Sequence, residues 1–121
     1  MKPETVLSQP PRVLTQTQRE HFFETGYLLL PAILPADWLA RLREATGELV
    51  ERSRSLTHSD AVYDLEAGHT AAAPRLRRMV NPSVHHPAIW QYVSDGIVAD
   101  IAADLLGADV KFLDTQLNFK W

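Results

Sequence analysis

The sequence contains no cysteine. That removes disulfides, thiolate metal ligands and a cysteine nucleophile from consideration. Glycine is sparse, at 5 residues, and there is no Gly-rich phosphate loop, Gly-x-Ser-x-Gly elbow or His-Glu-x-x-His helix. An excess of positive charge is missing too: 12 Lys and Arg stand against 15 Asp and Glu, a net charge of −3, which argues against nucleic acid as a partner. The longest apolar run, Tyr27 to Leu34, is interrupted by Pro31 and falls far short of the roughly 20 residues that span a bilayer. Residues 1–11 lack the apolar stretch of a signal peptide, so neither export nor a membrane partner is expected, and a cytoplasmic setting is.

What is present is ordinary globular material, 121 residues with 45% hydrophobic and 22% charged. One domain is the natural count, and a chain of this size can bury about two-thirds of its unfolded surface. Residues 1–13 hold three prolines and read as a flexible lead-in, leaving 14–121 as the folded part. Thr15 and Gln18 have capping-box spacing, which starts a short helix carrying His21, Phe22 and Phe23, and Gly26 is placed to stop it. Tyr27–Leu30 reads as a buried strand. From Asp37 the residues Trp38, Leu39, Leu42, Ala45, Leu49 and Val50 recur at helical spacing, with charged residues between them.

Residues 56–74 read as a loop, with a short strand at Val62-Tyr63. Arg75–Val80 partly alternates, as a strand does. Pro82 and Pro87 flank a turn, and a helix follows over Pro87–Val93. Ser94 or Asp95 caps a further helix whose core face is Ile97, Val98, Ile101, Leu105 and Leu106, with Gly107 as its stop. Val110–Trp121 reads as one strand. Leu113, Thr115, Leu117, Phe119 and Trp121 share one face, while Asp114, Gln116, Asn118 and Lys120 share the other. Such a polar face is either solvated or the wall of a ligand cavity.

Several groups bear on chemistry. His58-Ser59-Asp60 has the His-x-Asp spacing of an Fe(II) facial triad, with His69, His85 or His86 as a nominal third ligand. It lies in a hydrophilic stretch without strand character, which favours a surface loop. His85 and His86 are adjacent and would point to opposite sides of a strand, so they bind one ion poorly. Arg75, Arg77 and Arg78 form either an anion site or a solvated basic edge.

The order of features resembles the N-terminal part of the phytanoyl-CoA dioxygenase (PhyH) family of Fe(II)/2-oxoglutarate-dependent oxygenases. The resemblance is carried by Leu14-Thr15-Gln16-Thr17-Gln18, by Phe22-x-x-x-Gly26-Tyr27-Leu28-Leu29-Leu30, and by Ile33-Leu34-Pro35 with the helix from Trp38 to Val50. It continues through Ile89-Trp90-Gln91-Tyr92, Asp100–Gly107 and Gln116-Leu117-Asn118-Phe119-Lys120. It implies an α+β fold, in which N-terminal helices and first strands buttress a double-stranded β-helix (jelly-roll, cupin-like) core. It implies Fe(II) and 2-oxoglutarate as cofactors, and hydroxylation of a small-molecule or acyl substrate coupled to formation of succinate and CO₂.

Of this chain's residues, the resemblance assigns Gln116 or Asn118 to 2-oxoglutarate and Asp114 to the substrate side. It also places a Lys near Met79, where this chain has Arg78 one residue away. It assigns no catalytic or metal-binding residue here, because the family's His-x-Asp motif follows the position of Trp121. The expectation is therefore the front part of a larger oxygenase. By itself such a chain is expected to be inactive and to bind neither cofactor tightly. The alternative is a non-catalytic helical interaction module.

Overall fold

The computed structural model describes residues 2–121. The elements, in order, are α1 (Pro3–Leu7), α2 (Gln16–Thr25), α3 (Ala36–Arg52), a 3₁₀ turn at Ser53–Ser55, β1 (Tyr63–Leu65), β2 (Leu76–Val80), α4 (Pro82–His85), α5 (Pro87–Asp95), α6 (Ile97–Leu106) and β3 (Gln116–Asn118). This is an α+β arrangement with one three-stranded antiparallel sheet, ordered β1-β2-β3. No helix among the described residues is long and apolar enough to cross a membrane. Two compact units divide the chain: residues up to 35 with 92–112, and residues 36–91 with 113–121.

In the first unit the local signals act as expected. Thr15 accepts from the Gln18 N–H while the Gln18 side chain accepts from the Thr15 N–H, closing the capping box of α2. Gly26 ends the helix at φ +81°, a left-handed cap that a Cβ would penalise, and its N–H donates to the Phe22 carbonyl at 2.8 Å. The segment read as a lead-in carries a short helix. Pro3–Leu7 is helical and Val6 is buried.

A buried polar cluster holds this region. Arg19 is almost fully enclosed, and its guanidinium donates to the carbonyls of Val6, Gln9 and Asp104 and to the Gln16 side chain. Every donor of a buried guanidinium needs an acceptor, and carbonyl ends of the chain supply them. Asp104, also buried, accepts from the backbone N–H groups of Arg12, Val13 and Leu14 at 2.7–2.8 Å.

Three further expectations fail in this unit. Tyr27–Leu30 forms no strand, and Tyr27 and Leu29 are exposed. An apolar run acquires β-structure only when a neighbouring strand accepts its N–H and C=O groups, and none pairs with it among the described residues. The core face read for α6 is also wrong in part, since Val98 and Leu106 are exposed while Asp104 is buried. The cap of α6 is Gly96 rather than Ser94 or Asp95. A Cβ at Gly96 would lie 2.1 Å from the Tyr92 carbonyl oxygen, so only glycine fits where α5 gives way to α6.

In the second unit, α3 presents Ala45 and Leu49 to a core that also contains Met79 and Ile89, with Leu42, Val62, Tyr63, Ala88, Leu117 and Phe119 packed around it. Tyr63, Met79 and Leu117 stand side by side across the three strands. Between Asp64 and Leu65 the register shifts: Asp64 pairs with Arg78, but Leu65 pairs with Leu76. Arg77 is thus an extra residue, a bulge in β2. Leu76 and Met79 are consequently both buried, whereas Arg77 and Arg78 are both exposed. The turn expected at Pro82 is a short helix, entered through Asn81 at φ +51°. Asn tolerates the left-handed region better than most residues, and its Oδ1 accepts from the Thr115 N–H.

The Asp104 cluster has a measurable consequence. Burial pushes its carboxyl up, but the N–H groups of Leu14, Val13 and Arg12 and the Arg19 charge outweigh that and hold it below the ordinary value of 3.8. A depressed carboxyl contributes stability that is present above the unfolded-state pKa and lost as pH falls through the folded one. Asp104→Ala strands three backbone donors and is expected to lower stability by about 2–4 kcal/mol in urea unfolding at neutral pH. Acidification below about pH 4 is expected to erode the native protein's stability more than the variant's.

Candidate functional site

The polar residues read from the last segment do gather, on a shorter strand than expected. Only Gln116–Asn118 is β-structure; Val110–Thr115 and Phe119–Trp121 are irregular. Alternation nevertheless persists from 114 to 120: Thr115, Leu117 and Phe119 are half-buried, while Asp114, Gln116, Asn118 and Lys120 are exposed. Leu113 and Trp121, assigned to the inner face, are exposed as well.

Register fixes the neighbours. Asn118 lies opposite Arg78, and Gln116 lies opposite Val80. On its other side Arg78 is opposite Asp64, with an ion pair of 3.9 Å. The outer sheet face thus sets the amide of Asn118 beside a guanidinium, with the Gln116 amide two residues along. Neither amide side chain is engaged in a hydrogen bond among the described residues. Asp114 lies outside β3 in irregular chain, so the structure does not bring it into the paired register. Met79 is fully buried in the core; the cation beside Asn118 is Arg78.

The other sequence candidates have structural partners. One oxygen of Asp60 accepts from the N–H groups of Val62 and Tyr63, at 2.8 and 2.7 Å, forming a turn into β1. These two bonds, Tyr63 first, hold its carboxyl below the ordinary value. His58 is bonded to the Thr57 hydroxyl, and the Ser59 hydroxyl accepts from the Leu65 N–H. His86 faces Glu48 through Nε2 and accepts the Ala88 N–H on Nδ1. His69 bridges the Ser53 carbonyl and the Arg75 backbone. Among the described residues no group of three or more His, Asp or Glu is placed to hold a metal ion. The described residues therefore do not supply a donor set for Fe(II).

Sequence reading missed the bulge at Arg77, although a signal existed: Leu76 and Met79 are three apart, where an unbroken strand spaces inward residues by two. It also missed a recess of about 500 Å³ at the Lys120 end of the sheet, whose walls come from segments far apart in sequence.

Over 103 residues, 85% of the chain, the sequence is 21% identical to a probable alpha-ketoglutarate-dependent hypophosphite dioxygenase of Stutzerimonas stutzeri, 36% of which is covered. Over 107 residues, 88% of the chain, it is 26% identical to an ectoine dioxygenase of Sphingopyxis alaskensis, 33% of which is covered. The chain is similar to dioxygenases. It spans about a third of the length of these curated relatives. No family model matches it, and no solved structure does.

The turn at Asp60 separates its structural role from a metal-binding one. Asp60→Ala is expected to lower the melting temperature by freeing the Val62 and Tyr63 N–H groups. His58→Ala is expected to leave both the melting temperature and the response to added Mn(II) unchanged, read by thermal melts and by paramagnetic line broadening.

Proposed function

We propose that this chain is the front part of an Fe(II)/2-oxoglutarate-dependent oxygenase of the PhyH type, acting on a small-molecule or acyl substrate. Two kinds of support converge. Of two relatives, one is named an ectoine dioxygenase and the other a probable alpha-ketoglutarate-dependent hypophosphite dioxygenase. The observation that carries the reading is the outer sheet face, where Asn118 stands in register with Arg78 and Gln116 follows on the same side. A dicarboxylate is well matched by that set: the guanidinium supplies charge and two parallel donors, and the amides donate without adding charge.

In this reading the three strands are the first strands of a double-stranded β-helix, and Gln116 and Asn118 bind 2-oxoglutarate. Asp114 lies on the substrate side. The Arg78 charge, already shared with Asp64, would orient one carboxylate, and the amides would fix its rotation. Iron held by donors other than the described residues would supply the oxidising chemistry toward a C–H bond, while this face would hold and orient the co-substrate. The competing reading, a non-catalytic interaction module, draws on the exposed Tyr27, Leu29 and Leu113.

Turnover decides between the two. The product of the full reading frame encoding this chain, supplied with Fe(II), 2-oxoglutarate and air, is expected to form succinate above a metal-free control, and the 121-residue chain alone is expected to form none. Absence of succinate from the full product across small hydroxylatable substrates would favour the interaction module.

A further inference from the structure

The recess at the Lys120 end of the sheet is walled in part by Glu66, Arg75, Arg77, Phe119, Lys120 and Trp121, and Asn118 of the polar sheet face reaches its edge. Its volume, about 500 Å³, lies in the range of pockets that take small organic ligands. Three of these residues are cationic and one is acidic. The acid is committed: Glu66 pairs with Arg77 at 3.4 Å. Arg75 and Lys120 have no ion-pair partner among the described residues. The recess therefore carries two uncompensated positive charges.

Its aromatic wall is held in place. The Trp121 indole N–H donates to the Leu76 carbonyl at 2.7 Å, and the ring stacks nearly parallel to Phe119, 13° between planes and 6.4 Å between centroids. A flat apolar surface thus lies beside the cations.

The segment that delivers Arg75 is also ordered in advance. The Glu66 N–H donates to the Arg75 carbonyl, and the Thr70 N–H to the Ala73 carbonyl. His69 accepts the Arg75 N–H on Nδ1 at 2.9 Å and reaches the Ser53 carbonyl through Nε2 at 3.1 Å. Arg54, itself paired with Glu51, donates to the carbonyls of Ala71 and Ala72. A loop rich in alanine, with little side-chain chemistry of its own, is thereby pinned from both sides. Pre-ordering a cationic side chain's backbone reduces the entropy lost when a ligand binds.

We propose that this recess is a binding site for an organic anion, a carboxylate or phosphate monoester on a flat apolar body, with the charge held by Arg75 and Lys120 and the body packed on Phe119 and Trp121. A guanidinium engages either oxyanion through paired N–H donors, and the ammonium adds a point charge. The site borders the face assigned to 2-oxoglutarate through Asn118, but its charge comes from Arg75 and Lys120, which the oxygenase reading does not use, so substitutions at those two positions test it separately from Asn118 and Gln116.

The test is an NMR titration of the full chain, without metal, following the Trp121 indole N–H. Benzoate and phenyl phosphate are the anionic probes, and benzyl alcohol is the neutral control. At least one anion is expected to shift the resonance saturably, with the stronger binder identifying carboxylate or phosphate as the preferred group. Arg75→Gln and Lys120→Met, both at exposed positions, are each expected to weaken that binding about tenfold, equivalent to about 1.4 kcal/mol, and added salt is expected to weaken it further. The proposal is overturned if neither anion produces a saturable shift, if benzyl alcohol binds as well as the anions, or if Arg75→Gln binds like the native chain.

Discussion

One extra residue in β2 sets the character of the sheet. Without the bulge, strict alternation would send Leu76 to the same side as Arg78, and either a leucine would lie in water or a guanidinium in the core. With Arg77 left over, Leu76 and Met79 are both buried, Met79 in the cluster with Ala45 and Leu49 of α3, and both arginines are exposed. Burying an unpaired guanidinium costs far more than disturbing one rung of a ladder, so the irregularity is the cheaper solution. Its consequence is a sheet with one apolar side, centred on Met79, and one side crowded with Asp64, Arg77, Arg78, Gln116, Asn118 and Lys120. The chemistry proposed for the chain belongs to that second side.

The other unit solves a different problem with polar groups. Helix ends leave carbonyls without helical partners, and the turn after α1 and the last turn of α6 present such groups. Arg19 collects the carbonyls of Val6, Gln9 and Asp104, and Asp104 collects the N–H groups of residues 12–14. An arginine and an aspartate are thus enclosed, each satisfied mainly by backbone. Such a cluster specifies one arrangement of its segments more sharply than an apolar contact does, because each misplacement leaves a buried donor or acceptor unmet.

The features legible in the sequence were those decided within a few residues. Thr15 and Gln18 form their capping box, Gly26 stops α2, and the apolar spacing of α3 is realised at Ala45 and Leu49. The alternation of residues 114–120 is also realised. What escaped depends on partners remote in sequence. Tyr27–Leu30 has strand composition and no strand to pair with. Asp104, on a helix otherwise rich in Ile, Ala and Leu, reads as a solvent-facing residue until residues 12–14 are seen converging on its carboxylate. The helix at Pro3–Leu7 is stabilised by contacts such as the Arg19 bond to Val6, invisible to composition. Of the candidate site, Gln116 and Asn118 were correctly placed on one face. Their neighbour Arg78 became evident only from register, and Asp114 fell outside the strand.

The central claim is that the outer face of this sheet binds ligand rather than simply meeting solvent. The most direct measurement is the KM for 2-oxoglutarate in the full reading-frame product carrying Asn118→Leu or Gln116→Leu. Loss of a hydrogen bond to a charged carboxylate is worth about 1.5–3 kcal/mol, so at least one variant is predicted to raise the KM by roughly tenfold or more, with unchanged thermal stability. A KM unaltered in both variants would contradict the account and leave the polar face as solvated surface.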